Sequence, residues 1–151
     1  MLEFQNLGRR FGGVAAVDGV TVALVSGRGV EDLQRTSALS GPFRWVGSHG
    51  AEYDGPLTGG LADRRDELAR LVEPEVAATP GARLEVKPAS VAVHVRQVAD
   101  RDAASALLTR ARQLADSSLT LKPGKEVLEI AVTDADKGSA LRRLVDELGA
   151  G

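Results

Sequence analysis

The stretch that decides the fold is Val20–Leu33, VTVALVSGRGVEDL. Five of its first six residues are apolar and suited to a strand, and the run suits a strand covered on both faces, as in a parallel sheet. It leads through Ser26-Gly27-Arg28 into a helical pattern over Gly29–Ser37. A strand that ends where a helix starts is a place for chemistry, because the first N–H groups of the helix are free to bind an anion. Ser26 and Arg28 suit a phosphate there. The other reading is an ordinary helix start.

Composition bounds what such a site could serve. The chain has 151 residues, enough for one domain with a core or two small lobes sharing one. With 43% hydrophobic and 26% charged residues it is an ordinary globular protein. A net charge of −2 and only 3% aromatics argue against nucleic acid as a partner. There is no cysteine, which excludes disulfides and thiol chemistry and fits a cytoplasmic protein. No apolar run approaches the roughly 18 residues of a membrane span, so no membrane partner is expected.

Downstream of the opening stretch the pattern changes. Residues 1–19, broken by Gly8, Gly12, Gly13 and Gly19, support at most a broken helix. Phe43–Glu52 reads as a short strand ending in a Gly-His-Gly turn, and Leu61–Ala77 as a helix with Leu61, Leu68, Leu71, Val72 and Val76 on one stripe. Pro80-Gly81 stops it. Ala82–Pro88 and Ser90–Gln97 alternate with period two, an antiparallel hairpin with one wet face. Asp100 can cap the next helix, whose apolar residues run from Ala103 to Ala115 at three- and four-residue spacing. Leu119–Val132 reads as a second hairpin turning at Pro123-Gly124. The final helix, Lys137–Leu148, capped by Asp134 or Asp136, is expected to bury Leu141, Leu144, Val145 and Leu148. The first part is a piece of a parallel α/β sheet, and the middle is an α+β unit on an antiparallel sheet.

Several residues could carry chemistry. His49 sits between two glycines, which marks either close backbone approach to a ligand or merely a turn. Glu85 and Lys87 share a strand face, as do His94 and Arg96 on the paired strand, and Lys125 with Glu129 on the second hairpin. Such a face is either simply solvated or a carbohydrate-binding surface, where paired charges give sugar hydroxyls both donors and acceptors. Lys137 at a helix start faces the positive end of the dipole, unfavourable unless an anion lies nearby.

Five pieces in this order carry a resemblance: VALVSGR (Val22–Arg28), GSHGAE (Gly47–Glu52), LEVKPASVAVHVR (Leu84–Arg96), GKEVLEI (Gly124–Ile130) and DKGSAL (Asp136–Leu141). Together they resemble the trehalose-6-phosphate phosphatases, haloacid-dehalogenase-like phosphohydrolases with an α/β cap. The resemblance covers about residues 20–148. It implies an α/β fold: an incomplete, Rossmann-like hydrolase core at 1–52, an inserted α+β cap at 53–132 and a return to the core at 133–151. It implies that Ser26 hydrogen-bonds the transferring phosphoryl group with Arg28 beside it, and that Lys137 neutralises charge on nucleophile and phosphate. Glu85, Lys87, Arg96, Lys125 and Glu129 match cap residues that grip the sugar. His49 and Glu52 match a turn at the domain junction, and His49 is placed with the substrate-binding residues. The implied substrate is trehalose 6-phosphate and the implied cofactor Mg²⁺, with a cap that closes over the site and excludes water.

The resemblance also leaves gaps. The family's nucleophile is the first aspartate of an Asp-x-Asp-Gly-Thr-like motif, tens of residues before the Ser-Gly-Arg turn. Here 25 residues precede Ser26; Ala16 stands where the nucleophile would be, and Asp18 lies too close to the next strand. The magnesium-binding Gly-Asp-Asp-x-x-Asp-like motif would follow the last helix, where the sequence stops at Gly151. The expectation is a chain truncated at both ends, without metal ligands and inactive alone, whose exposed core sheet invites self-association. The alternatives are a non-catalytic remnant that binds trehalose 6-phosphate, a phosphatase fragment for another sugar phosphate such as sucrose phosphate or mannosyl-glycerate phosphate, and an α/β domain with an unrelated task.

Overall fold

A computed structural model describes residues 21–149, together with the backbone of two short strands near the N-terminus, β1 (Arg10–Phe11) and β2 (Val14–Ala15). These two pair antiparallel, so a strand pair stands where a broken helix was expected. Val20, Ala16 and Asp18 lie outside the described residues.

The opening stretch folds as β3 (Ala23–Val25) followed by α1 (Val30–Ser37). β3 runs parallel to β4 (Arg44–Gly47), which pairs antiparallel with β5 (Glu52–Tyr53) after a 3₁₀ turn at Ser48–Gly50. The expectation of a strand covered on both faces does not hold: Ala23, Leu24 and Val25 are only half-buried, and β3 is an edge among the described residues. A small core gathers Val46, Ala140 and Leu144 against Ala23, Val25 and Tyr53.

The larger core belongs to the antiparallel sheet. Its order is β6 (Arg83–Lys87), β7 (Ser90–His94), β9 (Val127–Ala131), β8 (Thr120–Gly124). Helices α2 (Gly60–Ala77) and α3 (Arg101–Leu114) cover one face. Period-two alternation sends Val91, Val93, Leu128 and Ile130 into that face, where they meet Leu68, Val72 and Leu107, all buried. Each such side chain contributes about 1.5–3 kcal/mol. Leu61 and Leu71, expected on the same stripe, are exposed. Asp100 caps α3, its Oδ1 accepting the N–H groups of Asp102 at 2.9 Å and Ala103 at 3.1 Å.

Two expectations about the C-terminal third are corrected. The second hairpin turns at Lys125–Glu126, not at Pro123-Gly124; Glu126 takes φ +59° and Pro123 pairs with Leu128. β8 is an edge strand, where a residue without an N–H is tolerated. Helix α4 (Lys137–Leu148) buries Ala140 and Leu144, while Leu141, Val145 and Leu148 are exposed. Among the described residues, the three-stranded sheet packs on the Ala140–Leu144 side of the helix. Asp136, not Asp134, is the cap: its Oδ1 accepts the Ser139 N–H at 2.7 Å, and its own N–H donates to Ser139 Oγ at 2.9 Å.

Candidate functional site

The Ser26 turn is tied down from three sides. The Ser26 N–H donates to the Val46 carbonyl at 2.9 Å, its carbonyl accepts the His49 N–H at 2.9 Å, and its Oγ accepts the Arg28 N–H at 3.1 Å. The glycines beside it are closely approached. A Cβ on Gly27 would come within 2.6 Å of the His49 ring, and one on Gly29 within 2.8 Å of Pro88. The turn is thus wedged between the Ser48–Gly50 segment and the β6–β7 hairpin turn. Ser48 and His49 both adopt left-handed backbone, with φ +48° and +60°. A Cβ on Gly50, φ +112°, would meet the Asp136 carbonyl at 2.7 Å, so this segment also packs on the start of α4.

The expected free N–H groups of α1 are partly used. The Val30 N–H donates to Glu52 Oε2 at 3.1 Å, and Ser48 Oγ donates to the same oxygen at 2.6 Å. Glu52 is buried, so the helix start holds an internal carboxylate. Arg28 pairs with Asp32 at 2.7 Å, and this hydrogen bond holds the Asp32 carboxyl below its ordinary range.

A cleft of about 690 Å³ separates this turn from the polar face of the antiparallel sheet. Arg28 and His49 line one side, and Glu85, Lys87, Lys122 and Glu129 the other. Glu129 is a half-buried carboxylate. Burial pushes it up, but hydrogen bonds from Lys87 Nζ and Ser90 Oγ, each 2.7 Å, outweigh that and hold it below its usual range. Glu85 Oε2 lies 2.7 Å from His94 Nε2. Arg65 of α2 also faces the cleft and donates to the Pro88 carbonyl at 3.0 Å.

The structure therefore brings Arg28, His49, Glu85, Lys87 and Glu129 to one cleft; Ser26 does not line it but precedes the lining residue Gly27. It does not bring Arg96 or Lys125 there. β7 ends at His94, because the Val98 N–H closes a turn onto the Val95 carbonyl, and Arg96 is exposed in that turn. Lys125 is exposed at the tip of the β8–β9 hairpin and does not share the face of Glu129. Lys137, the first residue of α4, is exposed, with no ion pair or hydrogen bond to Ser26 among the described residues. The missed residues include Lys122, Ser90 and Arg65. Lys122 stands directly opposite Glu129. Placing the hairpin turn two residues later in the sequence would have set Lys122 directly opposite Glu129.

No three His, Asp or Glu side chains converge to hold a metal ion among the described residues. Asp32 and Glu52, the carboxylates tied beside the turn, are committed to Arg28, Val30 and Ser48. These residues do not fit the magnesium ion that the resemblance implies, and the chemistry below uses none. No helix among the described residues is long and apolar enough to cross a membrane.

Comparison with known proteins gives the family. The family model described as Trehalose-phosphatase matches residues 14–151. The chain is 33% identical over 143 residues to the trehalose-6-phosphate phosphatase of Escherichia coli strain K12, covering 87% of this chain and 51% of that protein. It is 31% identical to the trehalose-phosphate phosphatase of Mycobacterium marinum, covering 84% of this chain and 35% of that protein. The chain thus spans about half of the length of the first of these relatives and about a third of the second. A crystal structure of a trehalose-6-phosphate phosphatase related protein superimposes with a TM-score of 0.65 at 24% identity, over 83% of this chain and 57% of that one, which shows a shared fold. On the match over residues 14–151, the chain belongs to the trehalose-phosphatase family.

Proposed function

We propose that this chain recognises trehalose 6-phosphate in the cleft between the Ser26 turn and the polar sheet face, and that it does not hydrolyse it unaided. The observation that carries this reading is the Lys87–Glu129–Ser90 cluster, set across the cleft from Arg28. A cation–carboxylate pair held at 2.7 Å offers fixed donors and acceptors to sugar hydroxyls. Arg28 and the Ser26 hydroxyl supply the anion-binding end, and Lys137 adds positive charge at the adjacent helix start. Residues 53–132 act as the sugar-holding cap on a core made of 1–52 and 133–151. Glu85 and Lys122 complete the grip, while Arg96 and Lys125 stay outside it.

The reaction of the family needs a carboxylate nucleophile at phosphorus. Ser26, Arg28 and Lys137 stabilise charge on a phosphate but supply no such group, which is why turnover is not expected. Self-association is assigned to the β3 edge together with the exposed Leu141, Val145 and Leu148, and sedimentation across a concentration series reads it.

Calorimetric titration tests the recognition. Trehalose 6-phosphate should bind saturably and more tightly than trehalose or sucrose 6-phosphate, and Glu129→Gln should weaken it about tenfold. Equal affinity for all three sugars, or none for any, contradicts the reading.

A further inference from the structure

The two carboxylates of the polar sheet face are each held by a different partner, and only one of those arrangements is explained by the grip. Glu129 is held by Lys87 and Ser90. Glu85 lines the cleft, yet its side-chain hydrogen-bond partner among the described residues is His94, at 2.7 Å from Nε2 to Oε2. Arg83 stands 3.6 Å from the same oxygen, beyond hydrogen-bond length.

The register explains the contact. His94 lies directly opposite Arg83, and Glu85 directly opposite Ala92, so His94 and Glu85 meet on the diagonal of β6 and β7. The small side chain of Ala92 leaves that diagonal unobstructed. His94 does not line the cleft, so it reaches a ligand only through Glu85.

We infer that His94 is the positioning residue for Glu85: its ring holds Oε2 and leaves Oε1 to accept a sugar hydroxyl. This rests on the reading of the cleft as a sugar-phosphate site. A carboxylate already fixed by a donor loses less rotamer freedom when the ligand arrives, so affinity rises without a new contact. The charged groups that the register brings beside the ring are Arg83 and Glu85 on β6 and Glu129 on β9. Of these, Glu85 alone makes a hydrogen bond to it among the described residues.

The test uses the whole chain and two readouts. The chain has two histidines, so the His94 ring signal is readily assigned by NMR. Glu85→Gln should move the His94 ring shifts at fixed pH, because the contact at 2.7 Å is altered. Unmoved His94 ring shifts overturn the pairing. Calorimetry with trehalose 6-phosphate then compares His94→Gln, which keeps an N–H donor, with His94→Leu, which does not. His94→Gln should bind close to the native chain, and His94→Leu about fivefold more weakly, the scale of one hydrogen bond. Native affinity in His94→Leu overturns the positioning role while leaving the site standing. A native chain that binds no trehalose 6-phosphate overturns the site itself, and the positioning role with it.

Discussion

The carboxylate of Glu52, on β5, caps α1 from across the sheet: its Oε2 accepts the Val30 N–H at 3.1 Å. Gly29, the residue preceding the helix, has no side chain to cap with. Glu52 is 22 residues further along the chain and buried, and it takes the Ser48 hydroxyl on the same oxygen at 2.6 Å. One side chain thereby ties the Ser-Gly-Arg turn to the Gly-Ser-His-Gly segment. Glu52→Ala leaves a buried N–H and a hydroxyl without partners, and it should cost about 2–3 kcal/mol in urea unfolding. Glu52→Gln keeps an acceptor and should cost less.

The two sides of α4 should respond differently to the same change. Leu144 is 3% exposed and Leu141 is 58% exposed. Leu144→Ala should destabilise by about 2–5 kcal/mol. Leu141→Ala should stay within about 0.5 kcal/mol. Equal losses would mean that Leu141 is covered in solution.

How much of this was legible depended on how local the signal was. The Asp100 cap and the Asp136 cap are written in neighbouring residues, and the structure follows them. The alternation of Ser90–His94 sends Val91 and Val93 to the core, but the expected wet face is not wet there, because Ser90 and Ala92 are buried as well. The second hairpin misled because Pro123-Gly124 is a strong turn signal, yet an edge strand accommodates it and the turn forms at Lys125–Glu126. That two-residue displacement took Lys125 off the sheet face and set Lys122 directly opposite Glu129. The Glu52 cap could not be seen from the sequence around Gly29, because its donor and acceptor are brought together only by β4–β5 pairing. The exposure of Leu141, Val145 and Leu148 was hidden for the opposite reason. Their spacing shows that a face is apolar, not that anything covers it.

The Glu129 carboxyl should titrate below the ordinary glutamate range, because the Lys87 and Ser90 hydrogen bonds outweigh burial. Its folded-state pKa is depressed, so its contribution to stability is present above the unfolded value and lost as pH falls through the folded one. Lys87→Met removes the leading counterweight and leaves the burial. The Glu129 midpoint, read from its side-chain carbonyl by NMR, should then move up. A downward or absent shift would show that Lys87 does not hold this carboxylate.

Lys122 should prove a better target than Lys125. It lines the cleft opposite Glu129, whereas Lys125 is exposed at the hairpin tip. Lys122→Met is expected to weaken trehalose 6-phosphate binding about fivefold, and Lys125→Met to leave it close to native. Calorimetry on the two variants side by side checks the order, and the reverse order would restore Lys125 to the grip.

The most direct measurement is phosphate release from trehalose 6-phosphate by the purified chain in the presence of Mg²⁺, with Lys137→Ala alongside. The expected result is no release above the variant, together with saturable binding of the sugar phosphate by the native chain. Release that disappears in Lys137→Ala would contradict it. A carboxylate of this chain would then be acting as the nucleophile, and Asp18 would be the first to replace.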